Sequence, residues 1–253
     1  MKTLLPLAIL CSAISVPAFA SGPANPPPYI YPAALVTGQI QGLTNWQGTY
    51  DTATGSGTSN GQMSLASSPS LSGSARKFVT TFTNSAGERY WTSFGADTAS
   101  SHFVWDGWIY IANSNAGIAN IELDMNQVMS NGQTVIYGFQ CDGYSGTWDY
   151  TENSGTPQKP IDRWVHSQYS CNPRTWAVNT WHHVQVSYSR DDNGNVTYHG
   201  VWLDGVRHAM SVTVPSSFAL GWGSVLLTNF QIDGLGASGA ATVYLDKLTI
   251  YRW

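Results

Sequence analysis

Between residues 120 and 127 the chain reads Asn-Ile-Glu-Leu-Asp-Met-Asn-Gln, and through Asn126 apolar and polar side chains alternate without a break. Successive side chains of a strand point to opposite faces. One face here, Ile121, Leu123 and Met125, is built to enter a core. The other carries two acids between two amides, Asn120, Glu122, Asp124 and Asn126.

Similar runs, separated by turn residues, predict an all-β chain. Residues 75–83, 89–94 around Trp91, 103–111 and 119–125 read as strands. Asn131-Gly132 is a hairpin turn signal leading into 134–141. Residues 181–188 and 196–203 form a second hairpin over Asp192-Asn193-Gly194, and 225–233 and 241–253 complete the set. No segment of about a dozen residues keeps an apolar stripe at helical spacing. Residues 142–180 read as a long, aromatic, irregular loop, and loops of that length tend to be functional.

The ends of the chain read differently. Lys2, the apolar run from Leu4 to Val16 and Ala18-Phe19-Ala20 have the form of a secretory signal, so residues 1–20 are set aside. Residues 21–35, with Pro23, Pro26, Pro27, Pro28 and Pro32, read as an extended polyproline tail or stalk. Residues 36–253 are long enough for one large β domain. No later apolar run reaches the ~18 residues of a membrane span. We therefore expect a secreted protein, extracellular or periplasmic, with no membrane insertion. Cys11 leaves with the signal, and export favours a disulfide between Cys141 and Cys171.

Only 10% of residues are charged. Glu122 and Asp124, one pleat apart, therefore stand out; a solvated strand face is the plain alternative. The chain has 15 acidic and 11 basic residues with no basic stripe, so nucleic acid is not an expected partner. Its 11 Trp and 13 Tyr suit stacking on the apolar faces of sugar rings. Trp105, Trp108, Trp148, Trp164, Trp176 and Trp222 are the candidate platforms. Trp105 and Trp108 lie three apart, so only one of them can line a given face. Trp46, Trp181 and Trp202 read as core. His182 and His183 face opposite ways, and His183 shares a face with Gln185, a possible sugar-contacting pair. No second ligand at suitable spacing supports zinc. Asn195-Val196-Thr197 matches a glycosylation acceptor.

The run Trp181-His182-His183-Val184 followed by Val201-Trp202-Leu203-Asp204-Gly205 resembles a hairpin of the concanavalin A-like lectin/glucanase superfamily, which includes laminin-G-like domains and laminarinase-type jelly rolls. Val243-Tyr244-Leu245-Asp246-Lys247-Leu248 resembles the last strand of such domains. The resemblance implies a concanavalin A-like jelly-roll β-sandwich of two antiparallel sheets, the inner one forming a cleft. In hydrolases of this type a cleft strand carries E-x-D-x-E or E-x-D-x-x-E, with nucleophile, helper and acid/base in that order. Glu122 and Asp124 match the first two positions. The third is Asn126, or Gln127 if the strand bulges. An amide is no proton donor at ordinary pH, so hydrolysis needs another acid, for which Asp106, Asp142, Asp149 and Glu152 are candidates. The resemblance also implies a structural calcium as a possible cofactor. Asp51, Asp191, Asp192 and Asp246 are available for it, but no D-x-D-x-D-G loop assigns a ligand.

The expected function is binding of a polysaccharide or oligosaccharide, of β-glucan or plant cell-wall type, by a monomeric protein. Glu122 and Asp124 would sit at the centre of its cleft. Asn120, Asn126, Trp105, Trp108, Trp148, Trp164, His183 and Gln185 would contact the sugar. A retaining endo-glycosidase with Glu122 as nucleophile and a degenerate E-x-D-x-x-Q ending at Gln127 is the alternative. A surface adhesion or spacer module displayed by the Pro-rich tail is the third.

Overall fold

The computed structural model describes residues 26–51 and 56–253, so the expected signal segment lies outside the described residues. In chain order the strands are β1 (Leu35–Thr37), β2 (Gln47–Asp51), β3 (Ser59–Ala66), β4 (Ala75–Phe82), β5 (Gly87–Ser93) and β6 (His102–Ile111). There follow β7 (Ile118–Val128), β8 (Thr134–Tyr137), β9 (Phe139–Asp142), β10 (Thr147–Asn153), β11 (Asp162–Ser170) and β12 (Trp181–Arg190). β13 (Asn195–Leu203), β14 (Val206–Pro215), β15 (Ser217–Phe218), β16 (Leu226–Gly234) and β17 (Gly239–Arg252) complete the fold.

They form two antiparallel sheets packed as a sandwich, the jelly-roll form expected. One has eight strands, in the order β14-β13-β12-β6-β17-β4-β3, with β1 also on β17. The other has nine, in the order β11-β10-β9-β7-β16-β5-β2, with β8 between β7 and β15. The inward face of each strand supplies the core. Trp105, Ile109, Val184 and Leu245 of the first sheet meet Ile121, Leu123, Phe139 and Phe230 of the second, all buried. Burying such side chains contributes roughly 1.5–3 kcal/mol each relative to exposure. Turn chemistry sets the hairpins: in the β12–β13 connection the Asp191 carboxylate accepts the Asn193 and Asn195 N–H groups at 2.9 Å, and Gly194 takes φ 78°.

Two expectations change. Residues 142–180 are not an irregular loop: β10 and β11 pair in register from Asp149↔His166 to Asn153↔Asp162. Their polar, aromatic sequence lacks clean alternation because β11 is an edge strand with little core to face. The Cys141–Cys171 disulfide, 30 residues apart, fastens the end of this hairpin to β9 and contributes about 3 kcal/mol by the chain-entropy argument. Nor does the described part of the Pro-rich tail project as a stalk. The Pro26 carbonyl accepts the Trp202 indole N–H at 2.8 Å, the Tyr29 ring meets Trp253 edge-on at 6.1 Å, and Leu35–Thr37 pairs with β17.

The run 134–141, expected as one strand, is two. It breaks at Gly138, where a Cβ would lie 2.4 Å from the Thr151 hydroxyl. On one side of the break β8 pairs with β7 up to Met125↔Tyr137; on the other β9 pairs from Glu122↔Gln140. Asp124 lies opposite the gap.

Candidate functional site

The alternation of β7 fixes which of its side chains face out. With Ile121, Leu123 and Met125 in the core, Asn120, Glu122, Asp124 and Asn126 stand on the outer face of the nine-stranded sheet. Strand register then sets their neighbours. Glu122 faces Gln231 on β16, and Gln231 faces Arg89 on β5. Asp124 faces Asn229, which faces Trp91. Across β10, Thr151 faces Trp164 and Asn153 faces Asp162 on β11. From β11 to β5 is five strand spacings, about 24 Å, and Trp164 and Trp91 stand at either side of the span.

A groove of about 830 Å³ occupies this face. Glu122, Asp124 and Asn126 lie along its floor, Trp91 and Trp164 on its flanks, and Trp222, on the segment before β16, at its rim. A second hollow of about 620 Å³ continues it past Glu122 and Trp164 to Asn120, Tyr144 and Asp233. Pockets of several hundred Å³ with aromatic walls and a few converging polar groups are the usual form of a ligand site.

The floor is rich in carboxyl groups and poor in donors. One amide, Gln231 Nε2, donates to Glu122 Oε1 at 2.8 Å, to Asp51 Oδ2 at 3.1 Å and to Asp233 Oδ1 at 3.1 Å. Asp124 Oδ1 accepts the Phe139 N–H at 3.0 Å, a donor freed by the break at Gly138. Burial, reinforced by Asp233, Asp124 and Asp51, pushes the Glu122 carboxyl well above the usual carboxylate range. Burial pushes Asp124 up to about 7. Burial, with Asp51, does the same to Asp233, also to about 7. Asp162 is raised by burial as well. Arg89 binds Asp51 at 2.5 Å; burial alone would lower its guanidinium, and the acids around it outweigh that and hold it charged.

The expected residues divide. Glu122, Asp124, Asn120, Asn126 and Trp164 gather in the groove, as does Trp222. Gln127 does not. β7 carries no bulge between Glu122 and Gln127, so the amide falls on the core face. There it accepts from Tyr137 Oη at 2.9 Å and Arg190 Nε at 2.8 Å, and donates to the Asp97 and Ser100 carbonyls. All its hydrogen-bonding capacity is spent on structure, and it cannot act in the groove. Trp105 is fully buried between the sheets with its indole N–H on Thr228 Oγ1 at 3.3 Å. Trp148 is also fully buried, stacked on Phe139 at 5.4 Å and near Trp176, because its strand points it at the core.

Trp108, His183 and Gln185 stand on the outer face of the other sheet, since β6 and β12 belong to it. Trp108 stacks on His183 at 4.4 Å, and both His183 Nε2 and Gln185 Nε2 reach Asp106, at 2.8 and 2.7 Å. Trp181 and Trp202, expected in the core, are on this face too, and Trp46 is in the core as expected.

None of the four acids considered as a third carboxyl lines the groove. Asp106 is on the far sheet, and Glu152 pairs with Arg163 at 2.5 Å. Asp142, opposite Asn120, and Asp149, two strands from Glu122 in the same row, share the groove's face and, with His166, form a cluster whose ligand atoms lie within 4.8 Å of one another. Asp149 meets His166 Nδ1 at 2.9 Å, and Asp142 accepts the Tyr144 and Ser145 N–H groups, so internal partners already engage both acids. The acids available for calcium stand at separate places. Asp51 holds Arg89, Asp191 caps its hairpin, Asp192 lies on the surface beside Arg190, and Asp246 accepts from Ser70, Ser72 and Gln41.

Sequence reading missed Asn229, Gln231 and Asp233, although they alternate with Phe230 and Ile232 on β16 as the acids do on β7. That repeated pattern was the available signal. For Arg89 and Asp162 only strand pairing supplies one.

No protein-family model matches the chain, and no curated protein matches it in sequence. Solved structures similar to it are β-sandwich carbohydrate-binding modules and lectins. Cellulose induced protein, Cip1, is 15% identical with a TM-score of 0.45, over 82% of this chain and 91% of that one. A carbohydrate-binding module of the β-sandwich superfamily with promiscuous specificity is 9% identical with a TM-score of 0.42, over 83% of this chain and 58% of that one. The module CBM66 from Bacillus subtilis is 13% identical with a TM-score of 0.38, over 81% and 94%. This chain thus spans under two thirds of one of these chains and most of the other two.

No helix among the described residues is long and apolar enough to cross a membrane.

Proposed function

We propose that the protein binds an extended, β-linked polysaccharide of cell-wall type along the groove of the nine-stranded sheet. One observation carries the reading: Trp91, Trp164 and Trp222 surround a buried row of carboxyl and amide groups on a single face. Flat aromatics take the apolar faces of sugar rings, while the acids and amides take the hydroxyls. Export to an oxidising compartment is part of the proposal, supported by the paired Cys141 and Cys171 and the signal-like N-terminus.

Binding is favoured over turnover by the disposition of the acids. A retaining glycosidase separates its two carboxyl groups by about 5–5.5 Å so that they flank the scissile bond. Here a single amide, Gln231 Nε2, lies within hydrogen-bond distance of Glu122, Asp233 and Asp51, so these acids crowd around one donor rather than flanking a bond to be cut.

The test is retention of the protein on insoluble β-glucan, cellulose, xylan, mannan, chitin and deacetylated chitin, with released reducing ends read in parallel. Retention on at least one of them, weakened about fivefold or more in Trp164→Ala, with no release is the expected result. No retention on any overturns the proposal. Release of reducing ends that disappears in Glu122→Gln replaces binding by hydrolysis.

A further inference from the structure

The groove gathers an uneven share of the protein's charge. Asp51, Glu122, Asp124, Asp162 and Asp233 line its two hollows, five of the chain's 15 acidic residues. Two arginines accompany them, and both are engaged: Arg89 by Asp51 at 2.5 Å and Arg163 by Glu152, outside the groove, also at 2.5 Å. Arg89 also attracts Glu122 and Asp124 through space, but the groups that donate directly to Glu122, Asp124 and Asp233 are amide and backbone N–H donors. Isolated buried carboxylates are costly unless a cation or several donors meet them.

A second observation is independent of the acids. Asn126 is 3% exposed and lies on the groove floor, yet its Oδ1 accepts no hydrogen bond. A buried acceptor left unmet costs about 1–3 kcal/mol, which a ligand donor would recover. Trp91, Trp164 and Trp222 around this floor are also the side chains best suited to hold a cation over a ring face.

We infer that the polysaccharide taken by this groove is cationic: a β-linked chain of amino sugars whose amines are free rather than acetylated. The inference rests on the groove being a polysaccharide site and settles the ligand's charge. Such a chain keeps the shape of a β-glucan and replaces a hydroxyl on each ring by an ammonium with three donors. Positive charge is what the floor is short of. A neutral β-glucan would leave five acids facing two arginines, and a polyuronate would add to the repulsion.

The experiment is titration calorimetry of the protein with three hexasaccharides of equal length and linkage, built from β-1,4-linked glucosamine, N-acetylglucosamine and glucose, and with hexalysine. The glucosamine hexamer is expected to bind about tenfold more tightly than either neutral hexamer, and to weaken several-fold between 0.05 and about 0.5 M salt as ion pairs are screened. Asp124→Asn should lower its affinity about fivefold or more. Asp162→Asn, at the exposed start of β11, should lower it in the same direction and does not touch the core. Equal binding of the glucose and glucosamine hexamers overturns the inference and leaves the polysaccharide site standing. Hexalysine binding as tightly as the glucosamine hexamer overturns the assignment to a glycan. No binding by any sugar overturns both readings.

Discussion

The two outer faces of the sandwich carry similar residues and treat them in opposite ways. On the eight-stranded sheet, Asp106 is clasped by His183 and Gln185, and the fully buried Asp246 accepts from Ser70, Ser72, Gln41 and three backbone N–H groups. Although burial opposes it, this ring of donors holds the Asp246 carboxyl below the ordinary range. On the nine-stranded sheet, Glu122, Asp124 and Asp233 are as deeply buried, with few donors, and burial pushes all three up. The first face has completed its polar contacts with its own side chains. The second gives its acids fewer donors, and a groove lies above it. An acid's partners, more than its presence, separate a structural carboxylate from a binding one.

The contrast is sharpest in stability. Asp246→Ala should cost about 3 kcal/mol or more, because six donors lose one buried acceptor. Asp124→Asn should stay within about 1 kcal/mol of the parent, or exceed it, since an amide oxygen can still take the Phe139 N–H and no charge remains to desolvate. Urea unfolding of both variants checks the pair, and equal costs would erase the distinction.

The second consequence is a pH dependence. Asp124 and Asp233 ionise near 3.8 when unfolded and near 7 when folded. Between those values the folded state holds more protons than the unfolded one, so stability falls as pH rises from about 4 to about 7 and levels off above. Glu122 acts in the same direction. Asp97 and Asp246, held low in the folded state, act in the opposite sense and only in more acid solution. The melting temperature should be higher at pH 5 than at pH 8, and the difference should shrink in Asp124→Asn/Asp233→Asn. A profile that rises from pH 5 to pH 8 contradicts the assignment of strain to the groove.

A smaller effect separates the faces by binding. Trp164→Ala should weaken polysaccharide retention by at least about 1 kcal/mol, roughly fivefold, whereas Trp108→Ala should leave it unchanged. Pull-down against the same polysaccharide reads both, and loss of retention in Trp108→Ala moves the site to the other sheet. Smallest of all, Gln185→Ala should change neither binding nor, beyond about 1 kcal/mol, stability, because Asp106 keeps His183.

Much of this was legible in the chain and some was legible only in part. The alternation in residues 120–126 identified both faces of β7 correctly, and the turn at Asn193-Gly194 placed the β12–β13 hairpin. Gln127 was misassigned because a bulge cannot be read from a run of alternating residues; pairing with β16 shows that none occurs. Trp148 was misassigned because its segment was taken for a loop, where aromatics face solvent, and it lies on a strand that faces the core.

By itself the sequence determined the all-β class and the side of β7 that enters the core, since these follow from a local period of two; that its acidic face is buried was decided by the strands and loops packed around it. The pairing of Cys141 with Cys171, expected from the sequence on the reading that Cys11 belongs to a signal segment, is present in the structure. Which strands share a sheet was decided by tertiary structure alone. Trp108, His183 and Gln185 look as suited to sugar as Trp91, Trp164 and Gln231, and nothing in their local pattern distinguishes them. The distinction arises from long-range pairing, which sets β5, β7, β11 and β16 in one sheet and β6 and β12 in the other, and a strand's own period carries no record of its neighbours.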